Sequence, residues 1–336
     1  MTVPVSVHHL VERLGGDDDI RAWIERLDGL GEPANPVVIP EGSELVQTLL
    51  RLSVVHEDID TLLALRPAPE GDPEIWWLLE RSVEALIRRM GVVDEWVKIP
   101  PLPESLGPLH RWFFVYVFVA ALPYVRAFHR ERGIPDDVSW ATLADLGRQM
   151  AVYRKRTGRS GFDDPVWITL HFTGAIYQLG RIQFERVRLG NTIGRAISAV
   201  DASYGPDSPA LSVHIPGYYG PFTPAACDAS FAGAASFFAA HFPDERYEIG
   251  VCHSWLLDEQ LAGYLPETSN IVRFQRRFHQ ALTLDDNDGS TLRFVFGLET
   301  DLPLGDYPQR TTLERAAIAH IRAGRHWHGG VGWLRL

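Results

Sequence analysis

Residues able to do acid–base or nucleophilic chemistry gather between Gln183 and Phe278. His214 sits in the apolar segment Leu211–Ile215, which reads as a short strand. It is a candidate base for an amine, because imidazole ordinarily titrates near neutrality. The alternative is a histidine hydrogen-bonded within the strand layer. Glu185 lies in Gln183–Leu189, where polar and apolar residues alternate as in a half-buried strand. It suits a base or an amine-binding carboxylate, or equally a strand-face charge paired with Arg181. Cys252-His253-Ser254 ends another strand. Alternation puts Cys252 and Ser254 on one face and His253 on the other. A Cys–His or Ser–His nucleophile there needs a partner from elsewhere, such as His214 or Glu185. His253 and Ser254 also suit a polar, substrate-facing role.

The strand at 211–215 runs into Pro216-Gly217-Tyr218-Tyr219-Gly220-Pro221-Phe222, then Thr223 and Pro224. Thr223 fits a helix N-cap and Pro224 the first helical position. Such a turn offers backbone N–H groups and a positive dipole end to an anion. Ile215, Gly217, Tyr218, Tyr219, Gly220 and Thr223 are therefore candidates to hold a phosphate-bearing ligand beside a strand edge. Ser269-Asn270 reads as another helix start, where Asn270 either begins the helix or bonds a ligand's amide groups. Cys227 falls in the first turn of the helix after Thr223, where a thiolate is stabilised, or is a small buried residue. Asp258 reads as a helix cap. His326-x-His328 has a metal-like spacing but no evident third ligand, so no metal is expected.

These groups need a scaffold. Residues 1–160 read as helical: Val5–Leu14, Asp19–Leu30, Glu41–Leu65, a helix opening at Pro73, an apolar helix from Phe113 to Phe128, and one from Ser139 to Tyr153. From 161 to 336 short strands alternate with helices, which argues for α/β layering. The strands are Gln183–Leu189, Leu211–Ile215, Tyr247–Cys252, Gln280–Leu284 and Leu292–Phe296. The helices are 223–241, 258–278 and Thr311–Gly324. The fold class is α+β overall, an all-α domain followed by an α/β domain.

A net charge of −11 argues against nucleic acid as a partner. The apolar run from Trp112 to Val125 is shorter than the roughly 20 residues of a membrane helix and reads as core. Two cysteines make no disulfide framework, and no signal pattern opens the chain. The expectation is a cytoplasmic protein.

Leu179-Gly180-Arg181-Ile182-Gln183-Phe184-Glu185, His214-Ile215-Pro216, Cys252-His253-Ser254-Trp255-Leu256-Leu257-Asp258, Ser269-Asn270-Ile271 and Thr311-Thr312-Leu313-Glu314-Arg315-Ala316 occur in this order. Together they resemble bacterial acyltransferase domain-containing proteins, which join a helical N-acyltransferase N-terminal domain to a GNAT-like C-terminal domain. The resemblance implies a mixed, mostly antiparallel sheet and acyl-CoA as co-substrate. It makes Leu211–Ile215 the central strand, Gly217–Pro221 the pyrophosphate loop and Tyr247–Trp255 the strand that splays to open the acyl slot. The chain departs from the family's usual loop, Gln/Arg-x-x-Gly-x-Gly/Ala, by placing Pro216 and Pro221 there. It also lacks a tyrosine in Ser269–Phe278, where many GNAT enzymes carry a general acid.

Three functions follow as alternatives. The first is an N-acyltransferase moving an acyl group from acyl-CoA, or from an acyl carrier protein, to a small-molecule amine. The second is a non-catalytic GNAT-like protein that binds an acyl or nucleotide ligand. The third is a thioesterase-like hydrolase using Ser254 or Cys252.

Overall fold

The computed structural model describes residues 5–93, 96–285, 287–298 and 302–336. It divides into two compact units, the first running to Ala175 and the second from Ile176, with Lys155–Thr157 belonging to the second. The division falls later than the change of sequence pattern near residue 160.

The first unit is helical: α1 (Val7–Arg13), α2 (Asp18–Asp28), α3 (Gly42–Arg51), α4 (His56–Ala64), α5 (Pro73–Arg88), α6 (Phe113–Glu131), α7 (Asp136–Leu143), α8 (Asp145–Thr157) and α9 (Pro165–Phe172). Several starts are set by local chemistry. Ser6, Asp17, Asp72 and Asp164 each accept a hydrogen bond from a first-turn N–H, and Pro73 and Pro165 occupy first positions. α6 is the core helix, with Phe113 to Ala121 all buried. No single helix among the described residues is long and apolar enough to cross a membrane.

The segment 41–65 forms two helices rather than one. Ser53 takes a positive φ of 60°, and Val54 N–H closes on Leu49 C=O at 3.0 Å. α8 crosses at that break. Gly147 donates its N–H to Leu52 C=O at 3.0 Å, and a Cβ on Gly147 would overlap the Ser53 carbonyl.

The second unit contains β1 (Ile176–Leu179), β2 (Ile182–Arg188), α10 (Asn191–Ser198), β3 (Pro209–His214), α11 (Pro224–His241), β4 (Ile249–Ser254), α12 (Asn270–Gln275), β5 (His279–Leu284), α13 (Asp288–Phe296), α14 (Thr312–Arg322) and β6 (Gly329–Arg335). One six-stranded sheet runs in the order β1-β2-β3-β4-β6-β5. Every neighbouring pair is antiparallel except β3 and β4, which are parallel. α11 is the crossover between them, as a parallel pair requires.

Two further expectations are corrected. Leu292–Phe296 is the end of helix α13, not a strand. Leu292 and Phe296 are buried one turn apart, while Phe294 is 63% exposed and Gly297 closes the helix at φ 62°. The span 258–278 is not one helix: 3-10 turns at Trp255–Leu257 and Glu259–Gly263 precede the short α12. The C-terminal tail is an interior strand, β6, lying between β4 and β5.

Two measurements test this account. Gly147→Ala should destabilise the helical unit by at least the ~1–3 kcal/mol typical of overpacking, because backbone must move. A melting temperature within error of wild type would show the crossing to be looser. His129 on α6 is buried, with Nδ1 2.6 Å from Ser139 Oγ, and burial holds its pKa down to about 3. An unfolded histidine titrates near 6.5, so the unfolded chain binds a proton the native chain refuses. Stability should therefore fall as pH drops from about 6.5 towards 3. Denaturant titrations at pH 7 and 4 should find that loss smaller in His129→Gln; an equal loss in both proteins refutes the assignment.

Candidate active site

β3 and β4 are paired at only two positions, Leu211 with Gly250 and Ser212 with Val251. Beyond them both strands continue, β3 to His214 and β4 to Ser254. Among the described residues each is paired there on its outer edge alone. Gln183 and Phe184 of β2 pair with His214 and Val213, while Gly332, Val331 and Gly330 of β6 pair with Cys252, His253 and Ser254. Among the described residues no pairing joins the inner edges of the two strand ends, and this unpaired stretch is the slot between β3 and β4.

Register places the side chains. Glu185 lies opposite Ser212, and Gln183 opposite His214. Odd-numbered residues of β2 therefore share a face with even-numbered residues of β3, and with Val251 and His253 of β4. On that face His214 Nε2 is 2.8 Å from Glu185 Oε2. The glutamate side chain is 6% exposed and the histidine 28% exposed. A carboxylate only accepts, so Nε2 carries the hydrogen and Nδ1 is the proton-accepting atom of the neutral ring. The pair has the geometry of a base with an orienting carboxylate, at the end of β3. His253 is exposed on the same face.

Arg181 does not pair with Glu185. It lies in the β1–β2 turn, and its Nε donates to Gly220 C=O at 3.1 Å. Buried Gln183, opposite His214, was not singled out from the sequence, although its alternation with Glu185 marks it as a neighbour on that face.

The opposite face belongs to α11. Tyr177 and Phe184 meet Phe237 and Phe231 of that helix. Cys252 and Ser254 point to this side, so neither joins the His214–Glu185 pair. Cys252 is fully buried and its thiol is pushed up to about 12 by desolvation. The Ser254 hydroxyl accepts Leu256 N–H at 3.1 Å and caps the 3-10 turn after β4. The Ser/Cys hydrolase reading fails on both counts. Cys227 is buried, and its pKa too is raised by burial rather than lowered by the helix start.

The loop after β3 forms as expected. Thr223 Oγ1 accepts Ala226 N–H at 3.2 Å, and α11 begins at Pro224. Gly220 has φ 75°, and a Cβ on Gly217 or Gly220 would meet nothing within 4 Å, so the loop's outer side is open. Ile215, Tyr218 and Tyr219 are half-buried between strand and helix. Asn270 is exposed at the start of α12, a helix that packs on α11, and is not brought to the His214 face. Asp258 caps the turn at Glu259–Gly263 and also accepts His328 N–H at 2.7 Å. His326 Nδ1 pairs with Asp288 Oδ2 at 2.7 Å. The His328 ring meets Gln260 Nε2 at 3.4 Å, so the two imidazoles at 326 and 328 have different side-chain partners.

Residues 43–174 match the model of the N-acyltransferase N-terminal domain, and residues 176–334 that of the GNAT-like C-terminal domain. Comparison with curated proteins finds no match. Among solved structures, an acyltransferase in complex with decanoyl-CoA and teicoplanin is 40% identical, with a TM-score of 0.90, over 99% of this chain and 100% of that one. A mutant acyltransferase in complex with octanoyl-CoA is 39% identical with the same TM-score of 0.90, again over 99% of this chain and 100% of that one.

Burial of both thiols makes a direct prediction. Neither Cys227 nor Cys252 should react with Ellman's reagent in the native protein at pH 8, and both should react after denaturation. Release of one equivalent from the folded protein would reopen a nucleophilic role.

Proposed function

The chain belongs to the acyltransferases that join an N-acyltransferase N-terminal domain to a GNAT-like C-terminal domain, and on that premise we propose that it moves a medium-length acyl group from acyl-CoA to an amine of a small molecule of the teicoplanin class. The observation that carries the reading is the His214–Glu185 pair at the mouth of the slot between β3 and β4. The pantetheine arm would lie along the inner edge of β3 and exchange hydrogen bonds with its backbone. The diphosphate would rest on the loop at Gly217–Thr223 and the start of α11.

The reaction then needs little more. His214 Nδ1 takes a proton from the amine as nitrogen attacks the thioester carbonyl. Backbone N–H groups of the slot stabilise the oxyanion. The C–S bond breaks as the C–N bond is completed, and the proton passes to the departing sulfur. Glu185 holds the ring in the required tautomer throughout. Octanoyl- and decanoyl-CoA bound to the similar structures support the donor class, and teicoplanin bound to one of them supports the acceptor class.

Acyl carrier protein remains the competing donor. The basic run Arg154-Lys155-Arg156 with Arg159 would be its dock, but Arg154 is engaged by Asp58. That favours free acyl-CoA.

The test is incubation with decanoyl-CoA and teicoplanin or a panel of primary amines, following thiol release and product mass. An acylated amine is the expected product. His214→Ala should lower kcat by about 10²–10⁴-fold, the usual worth of a positioned base. Glu185→Gln should lower it less. Donor binding with no product from any amine would favour the ligand-binding alternative, and full activity in His214→Ala would remove the base from this site.

A further inference from the structure

Arg181 is 7% exposed and sits in the tight turn between β1 and β2, beside Gly180 at φ 65°. Three contacts fix it. Its backbone N–H donates to Ser230 Oγ on α11 at 2.8 Å, its Nε donates to Gly220 C=O at 3.1 Å, and its guanidinium lies 5.2 Å above the Phe222 ring. Two of the three contacts reach the loop before α11. Nη1 is buried and has no hydrogen-bond partner, and no carboxylate pairs with the guanidinium among the described residues. A buried charge without a counter-ion is costly, and native chains normally supply one. Burial accordingly disfavours its charged form.

The neighbouring cation is satisfied differently. Arg277 Nη2 is taken by Pro224 C=O at 3.0 Å and Asp228 Oδ1 at 2.5 Å. Arg181 is therefore the cation at this loop that lacks an anion. It stands beside the N-terminus of an 18-residue helix, whose dipole adds positive potential at the same place. Pro216 and Pro221 withhold two of the N–H donors that such a loop would otherwise offer a diphosphate.

We propose that Arg181 is a specificity-determining, positioning residue for the donor's diphosphate: it holds the Gly220 turn in shape and supplies the buried positive charge that the proline-flanked loop needs. This rests on the acyl-CoA reading above. The anion that balances the charge is then the ligand's own diphosphate. A donor lacking phosphates should gain nothing from Arg181.

The test measures CoA and pantetheine binding by calorimetry in wild type, Arg181→Met and Arg181→Lys. In parallel, kcat/KM is compared for decanoyl-CoA and S-decanoyl-pantetheine. Arg181→Met should weaken CoA binding by about tenfold or more, a scale set by charge-assisted hydrogen bonds. The ratio of kcat/KM between the two donors should fall by a similar factor, and Arg181→Lys should recover part of it. Equal losses for CoA and pantetheine would mean a merely structural arginine and overturn the proposal. So would a Met variant that binds CoA like wild type. If the donor ratio does not move while wild type still acylates an amine from decanoyl-CoA, Arg181 loses its role and the acyltransferase reading stands. A wild type that binds CoA no better than pantetheine overturns both.

Discussion

Two parallel strands that separate inside a sheet leave backbone N–H and C=O groups without partners, and the second unit is organised around that constraint. Past Leu211–Gly250 and Ser212–Val251 the inner edges of β3 and β4 have no strand between them. Such groups are tolerated only if a ligand or water takes them. What keeps the strands from collapsing together is the pairing on their outer edges. β2 follows β3 to its last residue, and β6 follows β4 to Ser254. β6 can do so while covered closely because Gly330 and Gly332 have no side chains: Leu257 and Phe278 sit where a Cβ would go. These glycines are what allow the tail to brace β4.

The same divergence explains where the acid–base pair must be. Only the last residues of β3 and β4 line the slot, so a base has to sit at or next to a strand end. His214 is the final residue of β3. Its carboxylate partner comes from β2, the strand that also holds β3 in place, so the brace and the orientation of the imidazole are one structure. A one-residue slip of β2 against β3 would turn Glu185 to the α11 face and leave the imidazole without its partner.

Local chemistry was legible in the sequence, and pairing was not. Thr223 and Pro224 announced the start of α11, and Leu211–Ile215 announced β3, because caps and short apolar runs depend on neighbouring residues. Glu185 and His214 could each be named, yet their contact depends on a register set by the whole sheet; Arg181 was the nearer guess as partner and goes to Gly220 instead. β1 escaped notice because all four of its residues are buried, which removes alternation. Leu292–Phe296 misled because it is a short apolar-rich run, whereas burial selects Leu292 and Phe296, one helical turn apart. Cys252 and Ser254 suggested nucleophiles by type alone, and only coordinates reveal a dry thiol and a hydroxyl occupied as a cap.

The absence of a tyrosine in Ser269–Phe278 carries less weight than it first suggests. Expulsion of a thiolate is not a demanding step, since a free thiol titrates near 8.5 and is a fair leaving group without full protonation. A base that has just taken the amine's proton is already an acid beside the departing sulfur. What the segment contributes instead is packing. Phe274 meets Phe222 of the loop at 4.9 Å and Phe278 at 5.0 Å, and Phe222 in turn carries the Arg181 guanidinium on its face. α12 thus backs the loop before α11, while the His214–Glu185 pair lies on the other face of the sheet. On the proposed function, placing loop and pair on opposite faces lets the loop change its chemistry, here by two prolines and a buried arginine, without disturbing His214.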